Sequence, residues 1–203
     1  MRNIFISLFC SFFAWPLAAQ NFDKGLVAAQ IGDYATAFNE WKPLAENGNP
    51  FAQQFVGKLY ANGHGVPQSE LEALKWYKLA AETGYAGAQY DLGQLYANSK
   101  STLQDYNKAA KWYKLAAEQG FKEAQGSLAG MYLLGVGVEK NYAKAARLSK
   151  LAADKGDALA QYNMGIMHKE GKGFFKNLTE ASKWFSKAAA QGDAGAQRQL
   201  GLM

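Results

Sequence analysis

Cysteine is almost missing. The 203-residue chain holds a single one, Cys10, within an apolar stretch near the start. A chain trimmed of that stretch would contain none, so no disulfide framework can stabilise it and packing has to do so. Proline is also sparse, with four residues, while alanine and glycine are abundant. Many small residues with few helix breakers suit closely packed helices better than sheets. Two histidines, His64 and His168, give little for a metal site. Charge of one sign is not concentrated: the net charge is +5 and the basic residues are spread evenly. Nucleic-acid binders cluster theirs, so no nucleic-acid partner is expected. At 49% apolar and 19% charged residues, disorder is excluded as well.

The first residues differ from all that follows. Arg2 precedes an apolar run from Ile4 to Trp15, and Pro16-Leu17-Ala18-Ala19 comes next. A positive start, an apolar middle and small residues at the end read as a signal peptide, residues 1–19, cut after Ala19, although Leu17 is larger than ideal there. The run has twelve residues, too short to cross a bilayer, which takes about 20; this counts against the alternative of an N-terminal anchor. Cys10 lacks the preceding small residues of a lipoprotein site. The expected product starts at Gln20, has no stable membrane insertion and is periplasmic or secreted.

Self-comparison gives the architecture. Ala-Gln recurs at Ala52-Gln53, Ala88-Gln89, Ala124-Gln125, Ala160-Gln161 and Ala196-Gln197, always 36 residues apart. Four residues after each Ala is an apolar position, then a small one (Gly57, Gly93, Ala129, Gly165, Gly201), then Tyr60, Tyr96, Tyr132 or His168. This spacing predicts an amphipathic helix A. Glycine turns follow at Gly63-His64-Gly65, Gly135-Val136-Gly137 and Gly171-Lys172-Gly173, whereas the second unit carries Ser99-Lys100-Ser101-Thr102. Ser69, Asp105, Asn141 and Asn177 are N-cap residues opening helix B, and Gly84, Gly120, Gly156 and Gly192 end it. Ser69 with Glu72 and Asn177 with Glu180 have the spacing of capping boxes. In the second unit helix B should bury Tyr106, Ala109, Ala110, Tyr113, Ala116 and Ala117. Trp76, Trp112 and Trp184, with Leu148 in the third unit, are expected to fill the wider gaps between helices. The resulting division is a degenerate N-terminal capping repeat at 20–49, repeats at 50–85, 86–121, 122–157 and 158–193, and a partial repeat or C-terminal cap at 194–203.

The pattern Ala-Gln-x-x-Leu-Gly-x-x-Tyr, then Gly-x-Gly-Val, then Ala-x-x-Trp-x-x-x-Ala-Ala-x-x-Gly resembles the Sel-one-like repeat (SLR), a relative of the tetratricopeptide repeat. The resemblance implies an all-α, right-handed superhelical solenoid of antiparallel helix pairs. It also implies a protein–protein interaction module or adaptor in the bacterial cell envelope. One exported branch of that family is cysteine-rich and includes members assigned β-lactamase activity. A β-lactamase-like or cell-wall-active hydrolase is therefore the alternative, disfavoured by the lack of cysteine after residue 19.

Catalytic motifs are lacking too: there is no Gly-x-Ser-x-Gly, Ser-x-x-Lys, Lys-Thr-Gly or His-Glu-x-x-His. His64 falls in a turn and His168 replaces a core tyrosine three repeats on. The Gly-x-Gly turns follow no strand and are not phosphate loops. No enzyme activity, metal or cofactor is expected. Basic residues on helix B (Lys75, Lys111, Arg147, Lys183; Lys78, Lys114, Lys150) could form a stripe for an acidic partner or a phospholipid surface, but read better as a solvated outer face. By analogy with the tetratricopeptide groove, a protein or peptide segment should contact helix A of a monomer through Gln54, Lys58, Tyr90, Gln94, Tyr162, Ile166 and Lys169. Gly126, Gly130, Ala61, Ala97 and Leu133 share those columns. The residue types vary from repeat to repeat, which suggests that packing does not dictate them.

Overall fold

The computed structural model describes residues 14–99, 101 and 103–203. Lys100 and Thr102 of the second turn, and residues 1–13 of the expected signal peptide, lie outside them. The described residues form eleven α-helices and no strand. They divide into two compact units, Met1–Thr83 and Gly84–Met203.

The first unit holds α1 (Ala14–Gln30), α2 (Tyr34–Glu46), α3 (Pro50–Asn62) and α4 (Glu70–Glu82). The sequence predicts a short helix near 23–30, but α1 starts at Ala14 and runs through the expected cleavage point. Pro16 does not prevent this, because a proline in the first turn removes an N–H that has no helical partner anyway. Trp41 is the buried centre of the unit, and its indole N–H donates to the Phe22 carbonyl at 3.1 Å.

The second unit holds α5 (Ala86–Asn98), α6 (Tyr106–Glu118), α7 (Lys122–Leu134), α8 (Tyr142–Asp154), α9 (Ala158–Glu170), α10 (Leu178–Ala190) and α11 (Ala194–Gly201). The odd-numbered members are A helices and the even-numbered ones B helices. Caps set their boundaries. Ser69, Asp105, Asn141 and Asn177 each accept a backbone N–H three residues on. The carboxylates of Glu72 and Glu180 pair with Lys75 and Lys183. At the other end of α6, Phe121 N–H bonds the Ala116 carbonyl and Gly120 N–H the Ala117 carbonyl. That is a Schellman closure, and it needs the φ of +83° that Gly120 supplies.

Within each helix pair, one contact fixes how near the helices come. The small residue of helix A lies against the ring of the residue after the tryptophan column. A Cβ added at Gly57, Gly93 or Gly165 would stand 2.7, 2.6 or 2.4 Å from the ring of Tyr77, Tyr113 or Phe185. The third repeat has Ala129 at the small position and, in the aromatic place, fully buried Ser149. The ring against the small residue is thus the one after the tryptophan column: Tyr77, Tyr113 and Phe185 are buried there, while in the column itself Trp76 and Leu148 are buried and Trp112 and Trp184 half-buried. Tyr106 is also corrected, at 42% exposed, because the first helical turn leaves its side chain on the outer face.

Neighbouring pairs are tied by the recurrent glutamine. Gln53, Gln125 and Gln161 donate to the carbonyls of Ala45, Ala117 and Ala153, at 3.0, 3.1 and 3.3 Å. Each adds a second donor to a carbonyl near the end of the preceding B helix, which already accepts the N–H of Gly48, Gly120 or Gly156. The oxygens of Gln89 and Gln161 in turn accept from Gln119 and Gln191, both at 2.8 Å. In the third repeat Lys155 takes the place of Gln119. Its Nζ reaches the Gly120 carbonyl at 3.0 Å, and the buried Gln125 oxygen is left without a donor. Lys155→Gln is expected to supply that donor and to stabilise the protein by about 0.5–1.5 kcal/mol, read from a denaturant midpoint. A lowered midpoint would show that the lysine bond matters more.

Candidate partner-binding face

The A helices of the second unit place their variable columns on α5, α7 and α9. Tyr90 is half-buried. Its ring lies 5.8 Å from Tyr113 and 5.3 Å from Phe121, and its hydroxyl accepts from the Gln94 amide. Burial raises the Tyr90 hydroxyl above its ordinary pKa. Gln94 accepts from Asn98 in turn, so an amide–amide–hydroxyl chain runs along α5. Tyr162 packs 5.8 Å from Phe185 and lies close enough to Gly195 that a Cβ there would come within 3.1 Å of it. A Cβ at Gly126 would meet the Asp157 carboxylate at 2.4 Å. In the first unit Gln54 is buried. Lys58 sits over the Phe55 ring at 5.6 Å and lines a cleft of about 300 Å³ with Leu26, Tyr34 and His64.

These placements correct the idea that packing does not dictate the variable columns. In the first of them, Gln54, Tyr90, Gly126 and Tyr162 all have packing duties, and in the third Leu133 is buried. The residue type varies because each neighbour differs: an aromatic where a ring is beneath it, glycine where Asp157 approaches. The middle column is the more open one. Gln94, Gly130 and Ile166 are half-buried, as is Lys169 in the third column. Lys169 Nζ donates to Gln199 on α11 at 2.6 Å. The face thus offers amide groups, a glycine backbone, one aliphatic side chain and one cation, which suits a peptide read by hydrogen bonds and a little apolar contact.

Two residues on this side escaped the sequence reading. Asn163, buried in α9, donates to the Gly126 carbonyl at 3.2 Å and joins α9 to α7. The signal was a polar residue beside the apolar Met164 column. Asp157, also buried, caps α9 by accepting the Ala160 N–H at 2.7 Å. Burial pushes its carboxyl above the ordinary aspartate value. A raised folded pKa favours the protonated form on folding, so the contribution of this group weakens as pH rises from about 4. Asn49 caps the equivalent helix of the first repeat without a charge, accepting from Ala52 at 2.9 Å. Asp157→Asn should therefore match or exceed the native protein at pH 7, by up to about 1 kcal/mol. The gap should close on acidification below about pH 4, where aspartate becomes neutral. Parallel urea titrations across pH check this, and an asparagine variant weaker at pH 7 would overturn it.

Each histidine stacks on an aromatic ring of its own unit. His64 stacks on Tyr34 at 4.3 Å in the first unit, and His168 on Phe174 at 4.5 Å in the second. Among the described residues no cluster of three potential metal ligands occurs. No described helix is long and apolar enough to cross a membrane.

Comparison with known proteins places this geometry. The Sel1 repeat family model matches residues 50–85, 86–121, 122–157 and 158–193. A protective antigen of uropathogenic Escherichia coli strains that displays an SLR fold is 35% identical. The match covers 93% of this chain and 41% of that one, with a TM-score of 0.78; the present chain thus spans well under half of that relative. A Sel1 repeat protein from Oxalobacter formigenes is 32% identical over 88% of this chain and 74% of its own, with a TM-score of 0.74. An immunity protein of Pseudomonas aeruginosa, at 21% identity and a TM-score of 0.58 over 89% of this chain and 68% of its own, shares the fold. A comparison with curated proteins gives no significant match. Sel1 repeat proteins are helical solenoids that generally bind other proteins and are typically non-enzymatic scaffolds. This chain belongs to the Sel1 repeat family.

Proposed function

We propose that this protein is an exported adaptor that holds a segment of another protein against the A helices of its second unit. The observation that carries this reading is the division of labour on that face. Tyr90 and Tyr162 are committed to packing, while Gln94, Gly130, Ile166 and Lys169 stay partly open beside them. Half-buried amide, aliphatic and cationic groups in a row give a peptide both area and direction. The signal-peptide pattern of residues 1–19 supports export, and so does similarity to a protein described as a protective antigen. The periplasm or the cell exterior is the proposed location.

A photo-crosslinking residue placed at Gln94 or Ile166 should capture a protein from envelope extract, and the same residue at exposed Lys111 on α6 should not. Equal capture at all three would move the binding surface elsewhere. N-terminal sequencing of the exported protein should begin at Gln20; an intact Met1 in the cytoplasm would remove the export half of the reading.

A further inference from the structure

A second feature lies on the opposite helices, between α6 and α8. On α10, Trp184 packs over the buried group of Ala152, Ala153, Ala160 and Met164 and so covers the step from α8 to α10. One repeat earlier the same column holds Leu148, and the smaller side chain leaves the step from α6 to α8 unfilled. A cleft of about 520 Å³ opens there, floored by Leu128, Tyr132, Leu148 and Leu151. Gln125 lines it too, and this is the glutamine whose buried oxygen has no donor. Three cations and the Glu118 carboxylate stand around the cleft. Lys144 lies over the Tyr132 ring at 5.2 Å, Lys114 shares Glu118 at 3.9 Å, and Arg147 pairs with no carboxylate among the described residues. Elsewhere on the B helices, Lys75 and Lys183 are neutralised by Glu72 and Glu180 three residues earlier. In α8 that position is Lys144, so Arg147 has a second cation there instead of a neutralising carboxylate, and the cleft is lined by three cations against the single carboxylate of Glu118.

We infer that this cleft is a second docking site, distinct from the A-helix face, that takes the tryptophan side chain of an acidic segment of a partner protein. The floor lacks the indole that its own column supplies in the next repeat. Carboxylates on either side of the tryptophan meet Lys114, Lys144 and Arg147, which strengthens encounter and fixes register.

The test uses a fluorescein-labelled peptide, acetyl-Asp-Glu-Gly-Trp-Gly-Glu-Asp, and the whole protein, read by fluorescence anisotropy. The peptide should bind, and added salt should weaken it. Replacing its tryptophan with alanine, or its acidic residues with lysine, should weaken binding by more than about tenfold. Leu148→Trp, which fills the cleft from within, should do the same while retaining native circular dichroism. Leu151→Glu, at the exposed edge, is the second block if the tryptophan variant fails to fold, and Arg147→Glu should weaken binding several-fold. No binding at about 1 mM peptide, the weak end of specific recognition, would overturn the inference. Equal binding of the lysine peptide, or undiminished binding to Leu148→Trp, would do so too. Crosslinking at Gln94 reports on the other face, so the two readings fail separately.

Discussion

Adding a single methyl group in Gly93→Ala is expected to cost about 1–3 kcal/mol, because the new Cβ has no room beside the Tyr113 ring. Tyr113→Ser alone should cost more, about 3–5 kcal/mol, the usual range for deleting a buried ring. The informative measurement is the combination. The third repeat already pairs Ala129 with Ser149, so the double variant copies an arrangement this chain uses elsewhere. With no ring to strike, the alanine methyl becomes harmless and partly fills the space. A denaturant double-mutant cycle should show the pair less destabilised than the sum of the singles, by about 1–3 kcal/mol. Additive costs would mean that this contact does not set the distance between helices A and B.

Gly137→Ala should be the most damaging small change in the turns. Its φ of +66° already penalises any side chain, by about 1–2 kcal/mol. In addition, the new Cβ would lie 2.2 Å from the carbonyl oxygen of Tyr106, in the first turn of α6. That atom is backbone and cannot rotate away, so overpacking adds about 1–3 kcal/mol. Gly120→Ala is the control. Its φ is just as positive, but the nearest atom is the mobile Lys155 Nζ at 3.5 Å, so only the conformational part should appear. Comparable thermal midpoints for the two variants would show that the turn yields and that the close approach is not a constraint.

Much of this fold could be read from the residue order. The 36-residue register, the caps at Asp105 and Asn141 and the positive φ at Gly120 are local or periodic properties, and a single strand of text records both. What escaped depends on a second helix. The neighbouring Trp112 and Tyr113 carry equally apolar rings, and only the position of Gly93 across the pair decides which one is buried. Tyr90 and Tyr162 looked free because their column varies. Its variation follows Phe121, Asp157 and Phe185, which come from other parts of the repeat. The Ala-Gln pair marked the period, yet its reason, a glutamine amide closing the previous helix, appears only once two pairs are stacked. The cleft at Leu148 was visible as a substitution in the tryptophan column but not as an opening.

The bonds that join successive helix pairs reach back a short way: eight residues for Gln125, 35 for Lys155 and 37 for Asn163. Each such partner has already been synthesised when the later residue arrives. A chain that appears from its N-terminal end can therefore complete each joint as it emerges, without holding apolar helices exposed until a distant segment follows. Short sequence separation of this kind favours fast folding and nearest-neighbour assembly. Stalling the chain after Gly156 should accordingly leave α5 to α8 already protected from a protease.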